Sequence, residues 1–277
     1  MTSRDAVRAP RSESPDGPRA KKSLGQNFLK DANIARKIVD ALNIGPEDRV
    51  VEIGPGPGAL TGIIASRKPA SLLLIEKDGH WAEERRKADG EGTRPEVRCE
   101  DALATRWEDF PPGWKCIGNL PYNVASPLMW EMFSRGRGLA RAVFMIQKEV
   151  GQRIVAEPGT SAYGALGVWV QSFMRPRIEC IVPPQVFTPR PKVDSAVLSF
   201  VPREDAPGPE TRAALAGVLH RCFQWRRKQL GTIFKDTGLR EESLPPDAGI
   251  AFTLRPERLT PGQFLLLAAC WRRLRAE

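Results

Sequence analysis

Five short runs of strand character recur in the first half of the chain, at residues 49–53, 71–75, 96–102, 114–118 and 142–146. Each is too short for a helix and is bounded by glycine, proline or polar residues, so each predicts a strand. Helical spacing fills the gaps. Ile34, Ile38, Val39 and Leu42 share one face ahead of the first run, residues 59–65 and 124–133 follow later runs, and Gln147-Lys148-Glu149-Val150 opens another helix. Strands that alternate with helices predict a parallel sheet with its ligand at the carboxyl ends of the strands. A helical stretch opens at Tyr163-Gly164-Ala165-Leu166, and residues 177–182 and 196–201 predict two added strands. The four prolines between Pro183 and Ser195 argue against regular structure there and fix the directions of Phe187 and Lys192.

Beyond Pro202 the pattern changes. Residues 204–209 read as a linker, and the remainder reads as helices without a strand signal. Residues 1–20 are rich in Pro, Ser, Arg and Asp, have no hydrophobic period, and predict a disordered basic tail. The expected organisation is therefore a tail over 1–20, an α/β domain over 21–202 and a small all-helical domain over 203–277.

Composition narrows the class of function. No run approaches the roughly 20 apolar residues of a membrane helix. The N-terminus, with Arg4, Asp5, Arg8, Arg11 and Glu13, lacks the apolar centre of a secretory signal, so a soluble cytoplasmic protein is expected. Five widely spaced cysteines and two histidines, with no Cys-x-x-Cys pair, predict reduced structural thiols and no metal. The net charge of +9 is unevenly spread: residues 1–30 hold seven Lys/Arg against three Asp/Glu, 31–202 hold 22 against 21, and 203–277 hold 13 against nine. A nearly neutral middle with basic ends suits a catalytic body that grips a polyanion at two places. Arg221, Arg226, Arg227 and Lys228, set among Phe223 and Trp225, are the candidate nucleic-acid contacts, and Lys21, Lys22 and Lys192 join them.

The candidate chemistry lies where the predicted strands end. Gly54-Pro55-Gly56-Pro57-Gly58 joins a strand to a helix start, which lets backbone approach a ligand beside free N–H groups. It is not the dinucleotide fingerprint, because the third glycine comes one position early, and it lacks the Lys and Ser/Thr that hold a triphosphate. Glu76 lies 22 residues beyond Gly54, near where nucleotide folds place the carboxylate that accepts ribose hydroxyls. Asp101 ends the third strand, where a carboxylate can accept an adenine amino proton. Asn119-Leu120-Pro121-Tyr122-Asn123 ends the fourth in a rigid turn that offers an amide and an aromatic face to a flat, hydrogen-bonding substrate such as a nucleobase; the same turn is also compatible with an ordinary helix cap.

In order and spacing, Gly25-Gln26-Asn27-Phe28-Leu29, Glu52-Ile53-Gly54-Pro55-Gly56-Pro57-Gly58, Glu76-Lys77-Asp78, Glu100-Asp101-Ala102, Asn119-Leu120-Pro121-Tyr122-Asn123, Gln147-Lys148-Glu149-Val150 and Pro189-Arg190-Pro191-Lys192-Val193-Asp194-Ser195 resemble the motifs of the 16S rRNA adenine N6,N6-dimethyltransferases, within the rRNA adenine dimethylase family. The resemblance implies a Rossmann-like class I methyltransferase sheet, mostly parallel with a reversed last strand, and S-adenosylmethionine as cofactor. It implies cofactor contacts at Gln26, Asn27, Leu29, Gly54, Gly56, Glu76, Asp101 and Asn119, and a catalytic set of Asn119, Leu120, Pro121, Tyr122 and Phe187. Thr188 and Arg190 depart from the family pattern.

The implied reaction methylates N6 of two adjacent adenosines near the 3′ end of 16S rRNA during small-subunit biogenesis, by a monomer acting on the immature 30S subunit. Two other readings stay open: a 23S rRNA adenine N6-methyltransferase conferring macrolide resistance, and a non-enzymatic ribosome assembly factor. Leu120 and the loop from Pro189 to Ser195 favour the first reading over the second, and the intact Glu76, Asp101 and Asn119 favour it over the third.

Overall fold

The computed structural model describes residues 26–88, 90–136 and 138–275; the predicted tail, Lys21, Lys22 and the side chain of Tyr122 lie outside that description. The first element is a two-residue strand, β1 (Phe28–Leu29), followed by α1 (Ala32–Leu42). Asp31 starts α1 by accepting the Asn33 and Ile34 N–H groups at 2.8 and 3.0 Å, and Asn43 stops it in the left-handed conformation at φ 54°. The buried stripe of α1 is Ala35, Ile38, Val39 and Leu42, so the 3.6-residue period decided its face.

Alternation continues through β2 (Arg49–Ile53), α2 (Thr61–Ser66), β3 (Ser71–Glu76), α3 (Gly79–Lys87), β4 (Glu96–Cys99), β5 (Trp114–Asn119), α4 (Tyr122–Arg135), β6 (Leu139–Gln147), α5 (Lys148–Ile154) and α6 (Ala165–Phe173). The chain then adds β7 (Met174–Val182), β8 (Phe187–Thr188) and β9 (Ser195–Pro202). The main sheet has the order β4-β3-β2-β5-β6-β9-β7. Its first five strands are parallel, and β9 runs antiparallel to both β6 and β7, which is the reversed last strand expected from the resemblance. Pro176 falls on β7, an edge strand, where a missing N–H costs no ladder bond on the open side.

Chain order moves outward from β2 to β4 and then restarts at β5 on the other side. A crevice opens at such a reversal, between the carboxyl ends of β2 and β5. Both faces of the sheet are covered. One carries Leu29, the α1 stripe, Leu60, Ile64 and Phe187; the other carries Trp107, Trp114, α4, α6 and the C-terminal helices α7 (Pro209–Gln224), α8 (Leu230–Phe234) and α9 (Pro261–Leu274). The buried Tyr163 hydroxyl donates to the Leu259 carbonyl at 2.8 Å, which ties the segment before α6 to the segment before α9. Among the described residues, no helix is long and apolar enough to cross a membrane.

Two sequence expectations need correction. The proline-rich loop is not wholly irregular: Phe187 and Thr188 form β8, which pairs antiparallel with β1 in the register Phe28↔Thr188 and Leu29↔Phe187, and the Lys30 N–H reaches the Val186 carbonyl at 2.8 Å. Pro184 and Pro189 flank this pair without interrupting it, so both strand residues keep their N–H groups. The third strand is also shorter than expected. It ends at Cys99, and Asp101 sits just past its tip.

Candidate active site

The crevice holds a cavity of about 150 Å³. Its walls come from the β1 segment (Gln26, Asn27, Phe28), the glycine turn (Gly54, Gly56), the ends of β3 and β4 (Glu76, Lys77, Glu100, Asp101), the turn after β5 (Asn119, Leu120, Pro121, Asn123) and Phe187. Residues from six separate sequence segments thus meet in one place. Leu29 is the exception among the expected cofactor contacts, because its side chain is buried in the apolar layer with α1 and it reaches the site only through its strand pairing with Phe187.

The glycine turn is shaped by what presses on it. At Gly56, with φ at 50°, an added Cβ would stand 3.2 Å from the Phe28 ring, which is itself held edge-on by Trp81 at 5.4 Å. At Gly58, with φ at 93°, the Arg85 guanidinium lies where a side chain would have to go. A larger residue would have to hold a left-handed φ at either position, and would press on the Phe28 ring at Gly56 or displace the Arg85 guanidinium at Gly58.

Glu76 organises the floor. One carboxylate oxygen accepts the Gly56 N–H at 3.0 Å and the other accepts the Asp78 N–H at 2.8 Å. Burial raises its pKa above the ordinary carboxylate value, and these N–H donors oppose the rise. Asp101 stands in the opposite regime: hydrogen bonding to the Lys77 ammonium, at 2.6 Å, is the main reason its pKa is lowered. Gln26 donates to Asp78 at 3.2 Å and so links the β1 segment to the start of α3.

Behind the turn, Glu52 is fully buried and accepts the Thr61 hydroxyl at 2.7 Å. Burial pushes its pKa from the ordinary 4.5 to about 7, against the Thr61 bond and the charge of Arg85. Between those two values the unfolded chain has ionised while the folded carboxyl still holds its proton, so this group's contribution to stability falls as pH rises from 4.5 to about 7. Glu52→Gln is therefore expected to melt close to wild type at the acid end of that window and several degrees higher than wild type above it. Equal melting temperatures across the whole range would contradict the burial argument.

The turn after β5 aims its groups by hydrogen bonds that sequence spacing could not show. The Asn119 side-chain N–H donates to the Asn27 carbonyl at 2.9 Å, which fixes the amide between two residues that both line the cavity. The Pro121 carbonyl accepts the Val124 and Ala125 N–H groups at 3.0 and 3.1 Å, starting α4. Phe187 lines the cavity from a buried position.

The predicted nucleic-acid residues separate into two kinds. Arg221 is turned inward, donating to the Ile233 carbonyl at 2.6 Å and pairing with Asp236. Arg226 donates to the Thr160 and Ser161 carbonyls at 3.3 and 3.0 Å, on the wall of a second cleft of about 460 Å³ that also includes Ser126, Arg153 and Tyr163. Arg227, Lys228 and Lys192 are exposed, and Trp225 beside them is 54% exposed. Phe223 packs inward on Phe264. Sequence reasoning did not single out Phe28, Lys77, Asn123 or Val124 as cavity residues. All four sit inside or beside quoted motifs, so adjacency was the available signal.

A family model described as ribosomal RNA adenine dimethylase matches residues 17–271. The chain is 58% identical over 254 residues to "Ribosomal RNA small subunit methyltransferase A" of Nitratidesulfovibrio vulgaris, covering 90% of this chain and 96% of that protein. Among solved structures, it is similar to a dimethyladenosine transferase from Plasmodium falciparum, with a TM-score of 0.72 and 28% identity, covering 87% of this chain and 95% of that one. The 23S rRNA methyltransferase ErmE shares the fold, with a TM-score of 0.67 and 24% identity over 88% of this chain and 98% of its own.

Proposed function

The chain belongs to the ribosomal RNA adenine dimethylase family, and on that premise we propose that it transfers methyl groups from S-adenosylmethionine to N6 of two adjacent adenosines near the 3′ end of 16S rRNA. One observation carries the reading: the cavity joins a nucleoside-type cradle, made by the glycine turn, Glu76 and Asp101, to the amide and carbonyl groups of the turn after β5. The small-subunit relative at 58% identity favours 16S over 23S rRNA, since the fold itself is common to both. Action as a cytoplasmic monomer on the immature 30S subunit belongs to the same proposal.

The residues present fit the cofactor. Glu76 presents a buried carboxylate to ribose hydroxyls, Asp101 an ionised one to the adenine amino group, and Gln26, Asn27, Gly54, Gly56 and Asn119 line the rest of the pocket. Bound there, S-adenosylmethionine supplies an electrophilic methyl group on a sulfonium. The chain's own task is to present the adenine N6, a weak nucleophile because its lone pair is delocalised into the ring. Asn119 accepts a hydrogen bond from one N6–H through its side-chain oxygen. The Leu120 carbonyl accepts the other, because the Pro121 carbonyl is already engaged by α4. Both contacts favour a more tetrahedral nitrogen, so no strong general base is needed. Tyr122 and Phe187 stack on the two faces of the flipped base. Arg226, Arg227 and Lys228, with Lys192, Lys21 and Lys22, hold the RNA backbone; Arg221 serves the fold of its own segment first.

Phe187→Leu keeps an apolar side chain in the buried layer and removes the stacking face. It is expected to lower kcat/KM for rRNA by about tenfold with little change in melting temperature. An unaltered kcat/KM would remove Phe187 from base recognition. The function itself is tested with labelled S-adenosylmethionine on immature 30S particles and free 16S rRNA, together with primer extension on rRNA from cells lacking the protein. Loss of modification confined to 23S rRNA would support the resistance-type reading, and no loss in either rRNA would support a non-enzymatic factor.

A further inference from the structure

We propose that Lys77 is a positioning residue for the cofactor's adenine, resting on the function proposed above: its ammonium holds the Asp101 carboxylate in the orientation that accepts the adenine amino group. The two residues leave neighbouring strand ends. The β3–β4 ladder runs to Glu76↔Cys99, and the Glu100 N–H extends it by reaching the Glu76 carbonyl at 3.1 Å. One Asp101 oxygen then meets the Lys77 ammonium at 2.6 Å, and the other accepts the Leu103 N–H at 3.0 Å. A carboxylate held at both oxygens is fixed in rotation, and each oxygen retains a lone pair for a further donor.

Charge around the cavity singles out the same pair. Lys77 is the one cation among the described lining residues, facing the three carboxylates of Glu76, Glu100 and Asp101. Glu76 is engaged by the Gly56 and Asp78 N–H groups, and Glu100 by the Thr105 hydroxyl at 2.9 Å. That leaves Asp101 as the carboxylate that Lys77 orients. The side chains of the pair are 59% and 32% exposed, and an ion pair so open to water adds little to folding stability. Its effect falls on the ligand that shares the rim. Without Lys77 the Asp101 carboxyl loses the chief cause of its lowered pKa, so it protonates at a higher pH and stops accepting the amino group sooner as acid is added.

The test is calorimetric titration of S-adenosylmethionine into the full-length wild type, Lys77→Met, Lys77→Arg, Asp101→Asn and the Lys77→Met/Asp101→Asn double variant, with no RNA present. Lys77→Met is expected to bind about fivefold more weakly, and Lys77→Arg to recover most of the loss. In the Asp101→Asn background, Lys77→Met is expected to add no further loss. Two results would overturn the role: a Lys77→Met affinity that coincides with wild type, or a loss in the double variant equal to the sum of the single losses. If the wild-type protein does not bind S-adenosylmethionine at all, the underlying function is overturned, and the role of Lys77 with it.

Discussion

Asn119→Ala is expected to lower methyl transfer to rRNA on the order of 100-fold while the protein still binds S-adenosylmethionine. The size follows from what the side chain does in two directions at once. Its N–H holds the Asn27 carbonyl at 2.9 Å, and its oxygen is the acceptor proposed for the adenine N6. Alanine removes the acceptor and also releases the β1 segment from the end of β5, so N6 is neither activated nor held in line. Glu76, Asp101 and the glycine turn are untouched, which is why cofactor affinity is expected to fall only a few-fold. Asn119→Asp is a sharper comparison, because a carboxylate accepts as well as the amide oxygen but cannot donate to Asn27. Single-turnover transfer from labelled cofactor, alongside equilibrium binding, measures both. Turnover near wild type in Asn119→Ala would end the proposed role.

Glu76→Ala is the second large effect, and it falls on binding: affinity for S-adenosylmethionine is expected to drop about 100-fold. Hydrogen bonds to a charged group contribute roughly 1.5–3 kcal/mol each, and this carboxylate accepts two backbone N–H groups before any ribose is present. Alanine leaves both donors without their acceptor in a buried site and loosens the Gly56 turn as well as removing the ribose contact. Glu76→Gln should fall in between, because its amide oxygen replaces one acceptor while its NH2 opposes the other N–H. Burial raises the Glu76 pKa, so wild-type affinity should begin to fall at a higher pH than an ordinary glutamate would impose. Titration calorimetry across pH measures this, and wild-type affinity in Glu76→Ala would show that the ribose is held elsewhere.

Much of this was legible in the chain itself. The period-3.6 stripe of α1 and the runs that became β2, β3, β5 and β6 announced an alternating α/β sheet, because burial on both faces forces apolar residues into continuous strands. The acid some 20 residues past a glycine turn is readable for the same reason, since one β-α-β step has a nearly fixed length. Motif order then supplied the family, which the match over residues 17–271 bears out.

What the sequence left open was decided by contacts between distant segments. No local pattern pairs Phe28–Leu29 with Phe187–Thr188; two-residue strands have no periodicity to detect, and proline neighbours argued against one of them. Yet that pairing carries Asn27 to Asn119 and seats Phe187 at the cavity. The basic cluster after α7 shows the same limit. Its arginines look alike in sequence, but packing turns Arg221 onto Ile233 and Asp236 and leaves Arg227 and Lys228 in solvent. Residue types and strand order came from the linear sequence, because they follow from burial and from short-range sterics. The orientation of each donor and acceptor at the site came only from the tertiary structure, because hydrogen bonds between distant segments determine it, as between Asn119 and Asn27, 92 residues apart.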